Sequence, residues 1–205
     1  SAMPIPTDLS SVKGFLSEEE GEKLYRLALE SSKKAPILEL GSYCGKSTIY
    51  IGSAVKDNNS LLYAVDHHRG SEEHQVGEEY YDPDLYDAAA DAVDSLPALR
   101  SNLRSFGLED SVVPIVGSSE MVGRFWNINL SMVFIDGGHS FESALADYRI
   151  WSCRLISGGY LAIHDVFEDP SLGGQAPRKI FELAQQSGLF HRETLHQTLG
   201  VLRRL

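Results

Sequence analysis

Apolar positions along the chain fall into two alternating patterns. Short runs, Ile37 to Leu40, Leu61 to Val65, Val112 to Val116, Ser131 to Ile135 and Tyr160 to Ile163, read as strands. Between most of them lie longer stretches with helical spacing. Ser17-Glu18-Glu19-Glu20 is a capping box, which predicts a helix through Leu24, Leu27 and Ala28 to about Ser32. Pro36 separates that helix from the first strand. Further helices are predicted from about Gly45 to Val55, from Phe141 to Leu155 and from 178 to 187. A helical pattern also begins near Leu85, with Pro97 opening a new helix inside it and Gly107 capping its end after Phe106. Asp57 to Ser60 and Ser157-Gly158-Gly159 read as turns, and residues 67–83 and 168–177 as loops. Two last strands are expected near 190–195 and 198–203.

Strands alternating with helices predict an α/β fold. The expected architecture is Rossmann-like and doubly wound. Its sheet is mostly parallel and seven-stranded, with helices on both faces and an antiparallel C-terminal hairpin. Residues 1–205 read as one domain, in which 4–35 form a helical segment packed on the core. Ser1-Ala2-Met3 reads as a cloning remnant. In such sheets ligands bind beyond the C-terminal ends of the strands. Glu39, Asp66, Ser118, Asp136, His164 and Asp165 collect at those ends.

Composition narrows the picture. A chain of 205 residues with 42% hydrophobic content can bury a full core. The net charge of −11 argues against a general nucleic-acid binder. No apolar run is long enough to cross a bilayer, so no membrane partner is expected, and the N-terminus lacks a secretory pattern. Cys44 and Cys153 have no CxxC spacing, which fits a reducing, cytoplasmic setting. Cys44 is expected to be a small packing residue. A homodimer is the default assembly.

The richest stretch is residues 36–48, where a strand runs into a glycine turn and then a helix start. Such a turn aims backbone N–H groups at one spot, where an anionic or zwitterionic group can dock. Gly41 and Gly45 have only three residues between them, one fewer than a P-loop needs. Position 43 is Tyr where a dinucleotide fingerprint has Gly. Glu39-x-Gly41-x-x-x-Gly45, followed by Asp66 at the end of the second strand, resembles the class I S-adenosylmethionine-dependent methyltransferases. The resemblance spans residues 36–165. It implies that Glu39, Gly41, Ser42, Tyr43, Gly45, Lys46 and Ser47 surround the methionine end of S-adenosyl-L-methionine. Asp66 would accept the ribose hydroxyls, His67 would lie beside it, and Ser118 and Ser119 would meet the adenine.

Phe134-Ile-Asp-Gly-Gly-His-Ser-Phe-Glu142, then Asp147, Trp151, Leu155, Gly158-Gly159 and His164-Asp165, looks like a bacterial branch labelled methyltransferase family 24. That branch is similar to sugar and macrolide O-methyltransferases. The resemblance implies methylation of a hydroxyl on a small-molecule acceptor. It also implies a divalent cation, Mg or another, on Asp136 and Asp165; by their chemistry, Asp136, His139, His164 and Asp165 could also form a mixed oxygen–nitrogen metal site. Gly138 and Val166 depart from the acidic residues that some relatives carry. Metal-assisted and metal-free transfer both stay open. His139 is the first candidate base and His164 the second, with Asp136 as their carboxylate partner and a neighbour of the cofactor. N-methylation of a small amine, and a non-catalytic nucleoside-binding or regulatory protein on this fold, remain alternatives. His67, His68 and His74 could form another metal cluster. Tyr80, Tyr81 and Tyr86 could wall the acceptor. Trp126 and Trp151 are expected on helices, packed into the core.

Overall fold

A computed structural model describes residues 4–136 and 140–205. Helix α1 (Glu18–Ser31) opens at the capping box: Ser17 Oγ accepts the Glu20 N–H, and the Glu20 side chain accepts the Ser17 N–H. Strand β1 (Ile37–Leu40) leads through the glycine turn to α2 (Lys46–Asp57), and β2 (Leu62–Asp66) follows. After the short hairpin β3 (Tyr86–Asp87) and β4 (Ala92–Val93) come α3 (Leu96–Ser105) and β5 (Val112–Val116). Next are α4 (Ser119–Gly123), β6 (Leu130–Ile135), α5 (Phe141–Trp151) and β7 (Leu155–Ile163). Helix α6 (Ala176–Gln186) and the hairpin β8 (Phe190–His196) and β9 (Leu199–Arg204) complete the chain.

The main sheet has seven strands in the order β5-β2-β1-β6-β7-β9-β8. The first five are parallel, while β9 runs antiparallel to both β7 and β8. This is the Rossmann-like sheet that the alternation predicts. Each central strand feeds two cores, because successive side chains point to opposite faces. Ile37, Ala64 and Phe134 pack with Leu24, Ile49 and Leu99 of α1, α2 and α3. Leu38, Val65 and Ile135 pack on the other face with Tyr148 and Trp151 of α5 and Phe181 of α6. Among the described residues, no helix is long and apolar enough to cross a membrane.

Three expectations fail in instructive ways. The helix from Leu85 is replaced by a 3-10 turn, Pro83–Leu85, and the β3–β4 hairpin, so α3 starts only at Leu96. There the Asp87 side chain accepts from Ala89 N and Ala90 N, and Asp91 takes a positive φ of 50°, which bends the alanine run into a turn. Ser157-Gly158-Gly159 does not end an element but lies inside β7, where the pairing with β6 shifts register between Leu130 and Met132. Gly158 absorbs that irregularity at φ +81°. Trp126 follows α4 rather than sitting on a helix; it still packs edge-on against Trp151 and Tyr63.

Candidate active site

The sheet's strand order reverses between β1 and β6, and the ends of these two strands meet at the glycine turn. Gly41 and Gly45 stand at φ +90° and +101°, and Tyr43 shares the left-handed region at +49°. A Cβ on Gly41 would come within 3.3 Å of Asp136 Cβ, and one on Gly45 within 2.8 Å of Leu99 Cδ1. Only glycine fits both the backbone and the space. The Tyr43 N–H donates to Asp66 Oδ2 at 2.8 Å, and the His68 N–H to Asp66 Oδ1 at 2.8 Å. Asp66 thereby ties the end of β2 to the turn, with acceptor capacity left on each oxygen. Ser42 Oγ and His68 Nε2 are buried and have no partner among the described residues.

Glu39 lies beneath the turn and is fully buried. Its two oxygens accept the hydroxyls of Ser47 and Thr48 at the start of α2. Burial drives its carboxyl pKa up to about 8, against the lowering effect of the two hydroxyls. Lys46 lays its stem against the N-terminal segment, so that a Cβ on Gly14 would come 2.9 Å from Lys46 Cβ. Cys44 is buried and its thiol is pushed up to about 11, mainly by desolvation, so it is a packing residue.

The N-terminal segment and the 71–85 loop roof this turn. Tyr43 stacks on His74 with ring centroids 5.3 Å apart, and Phe15 meets Tyr80 edge-on at 5.4 Å. Lys13 pairs with Asp82 and Asp84, latching the two segments together. Of the three tyrosines considered as an acceptor wall, Tyr80 packs against Phe15 and His74, whereas Tyr86 bonds to Asp91 in the hairpin.

Beyond β6 and β7 the structure gathers Asp136, His164 and Asp165. His164 is 3% exposed, with Nδ1 3.1 Å from Asp136 Oδ1 and 3.6 Å from Asp165 Oδ1. Its Nε2 lies 3.1 Å from Glu20 Oε1. Against its burial, the carboxylates raise the imidazole pKa to about 10, while hydrogen bonds lower that of Glu20 to about 2. His164 is thus an imidazolium held at both nitrogens. With Nδ1 facing Asp136 and Nε2 facing Glu20, both ring nitrogens are engaged by carboxylates, which favours a charge-balancing role for this ring over that of a general base. Asp165 takes a strained φ of +63° at the strand end.

One ligand atom from each of Asp136, His164 and Asp165 lies within 4.8 Å of the others. This mixed carboxylate–imidazole set suits a divalent cation once Nδ1 gives up its proton, with the Nε2–H still donated to Glu20. Among the described residues, His67, His68 and His74 form no comparable cluster. Beside the site, Val166, Phe167, Leu172, Leu195 and Thr198 line a groove of about 500 Å³ together with Arg192 and Gln197.

The remaining sequence candidates fall as follows. His139 lies outside the described residues. His67 is exposed, and its Nδ1 accepts the Arg69 N–H, whereas His68 is the buried member of the pair. Ser118 caps α4, accepting from Met121 N at 3.1 Å, and Ser119 Oγ accepts from Trp151 Nε1 at 2.8 Å. Sequence reasoning missed Glu20, whose capping role gave it a sufficient local explanation. It also missed Thr198, which no motif flags.

Comparison with known proteins agrees with this geometry. A family model described as a methyltransferase domain matches residues 38–166, more than half of the chain. The chain is similar to the O-methyltransferase NovP, with 17% identity and a TM-score of 0.67, covering 89% of this chain and 79% of that one. It is similar to the O-methyltransferase from Bacillus cereus in complex with SAH, with 16% identity and a TM-score of 0.65 over 96% and 85% of the two chains. A third similar structure is the O-methyltransferase TomG from Streptomyces achromogenes, involved in tomaymycin synthesis and in complex with SAM. It has 16% identity and a TM-score of 0.64 over 93% and 81%. At these identities the structural likeness establishes the fold.

Proposed function

We propose, for a chain that belongs to the methyltransferase-domain family, that it transfers a methyl group from S-adenosyl-L-methionine to a hydroxyl of a small-molecule acceptor. The observation that carries this reading is the contact of Gly41 with Asp136, whose Cβ stands 3.3 Å from a Cβ placed on Gly41. It sets the cofactor turn and the acidic cluster side by side at the switch point of the sheet. The buried Ser42 Oγ has no partner in that turn, which fits a polar ligand there. That the solved structures similar to this one include O-methyltransferases with SAH or SAM is consistent with the reading.

When bound, the cofactor supplies an electrophilic methyl group on a sulfonium. The turn from Gly41 to Ser47 holds the methionine end with Glu39 as its buried support. Asp66 receives the ribose hydroxyls and His67 flanks it, while Ser118 and Ser119 stand at the adenine end. Most of the rate gain comes from orienting the acceptor oxygen in line with the methyl group. Asp136 orients the acceptor hydroxyl, and His139 takes its proton. With no cation bound, His164 balances the charge of Asp136 and Asp165. A divalent cation would be held by Asp136, Asp165 and His164 Nδ1, and would lower the pKa of the acceptor hydroxyl. The groove at Val166 and Leu195 accommodates the body of the acceptor.

Calorimetry with S-adenosylhomocysteine tests the reading directly. Binding in the micromolar range is expected, and no heat at high micromolar concentration sinks it. Transfer of labelled methyl from S-adenosylmethionine to a panel of hydroxyl compounds, with and without chelator, then tests the acceptor class and the cation.

A further inference from the structure

We infer that Glu20, on the N-terminal helix, is a positioning residue of the transfer site: it holds the His164 ring so that Nδ1 keeps the Asp136 carboxylate fixed against the glycine turn. The inference rests on the cofactor reading of that turn.

A capping box requires one bond from the Glu side chain to the backbone at the helix start. Glu20 makes that bond, to the Ser17 N–H at 3.2 Å, but the carboxylate does not remain on the surface. It is 3% exposed and collects three further donors. Oε1 lies 3.1 Å from His164 Nε2, while Oε2 accepts the Thr198 N–H at 3.0 Å and the Thr198 hydroxyl at 2.6 Å. Four donors nearly saturate a carboxylate. Helix capping explains only one of them.

The consequence falls on the imidazole. With Nε2 tied to α1, the ring cannot flip end over end without breaking a buried charged hydrogen bond. Nδ1 is therefore always presented to Asp136, at 3.1 Å. Asp136 in turn packs its Cβ over Gly41. The order Glu20, His164, Asp136, Gly41 joins four segments distant in sequence into one line from the N-terminal helix to the cofactor turn. Burying such charges costs desolvation that a hydrophobic contact would avoid, so an ion pair of this kind adds more to geometric definition than to stability. Functional side chains need this kind of support to stay within a fraction of an ångström of working geometry.

The rival account is that Glu20 only clamps α1 to the β8–β9 turn through Thr198. A double-mutant cycle on the full chain separates the two, with S-adenosylhomocysteine calorimetry as the readout. Glu20→Gln and Asp136→Asn should each weaken binding by about 10-fold, and the double variant should be no weaker than Asp136→Asn alone. Ser17→Ala loosens the same helix end without removing the Glu20 carboxylate. It should lower the melting temperature and leave affinity within about 2-fold. In ligand-free protein, the His164 ring nitrogen NMR signals should shift or broaden in Glu20→Gln and stay unchanged in Ser17→Ala. If Glu20→Gln does not fold, Glu20→Asp, one methylene shorter, is read in the same cycle. Strictly additive effects, or His164 signals that ignore Glu20→Gln, overturn the positioning role. A wild-type protein that fails to bind S-adenosylhomocysteine overturns the cofactor reading itself, and this role with it.

Discussion

Glu39 is a fully buried carboxyl beneath the glycine turn, held by Ser47 and Thr48. Its carboxyl is raised to about 8, with burial the leading cause and Asp136 and Asp66 adding to it. A folded-state pKa above the ordinary value means that the stabilising protonated form is fully present below about 4.5 and is lost as pH rises through about 8. Glu39→Gln keeps an acceptor for Ser47 and Thr48 but cannot ionise. Its melting temperature should therefore gain on the wild type between pH 5 and pH 8, and a constant difference across that range would contradict the assignment. Asp66 is the opposite case, a half-buried carboxylate with capacity to spare. Asp66→Ala should weaken S-adenosylhomocysteine binding by at least about 10-fold, because the ribose loses its acceptor and the Tyr43 and His68 N–H groups lose theirs. Calorimetry measures this, and unchanged affinity would remove Asp66 from the site. Both residues were legible from their places at strand ends. The hydroxyls of Ser47 and Thr48 that meet the two oxygens of Glu39 were not, because a strand pattern does not say what α2 brings down onto it.

At the scale of elements, the glycine turn is the most constrained piece. Gly45→Ala must hold alanine at φ +101° and place its Cβ against Leu99. The expected loss is about 1–3 kcal/mol of unfolding free energy, read by denaturant titration, together with a measurable loss of S-adenosylhomocysteine affinity. Stability equal to wild type would mean that the turn can relax. The spacing of Gly41 and Gly45 announced this turn, and Ser17 with Glu20 announced the helix start. The stretch from Leu85 to Ser95 misled because its alanines carry helical propensity, which local bonds from Asp87 and the left-handed Asp91 overrode. The glycine pair at 158 and 159 carries two meanings in sequence, turn or bulge, and only pairing with β6 decides between them.

At the scale of the molecule, the net charge of −11 sets the long-range field. Fluorescence anisotropy with random-sequence duplex DNA at physiological salt should give no binding tighter than about 100 μM; tighter association would reveal a basic surface that the charge count hides. The strand order β5-β2-β1-β6-β7-β9-β8 converts a linear list of polar residues into one site, since β1 and β6 are neighbours across the switch point. The sequence by itself determined the alternation of strands and helices, the sheet they build and the glycine spacing of the turn after β1. These follow from local periodicity and spacing, which a linear chain carries openly. Only the tertiary structure decided that the His164 ring is held between Asp136 and Glu20. The same holds for Glu39 as a buried support and for Glu20 on α1 reaching His164. Each depends on which carboxylates meet in space and how much water they lose, and residues 144 positions apart leave no mark of their meeting in the sequence.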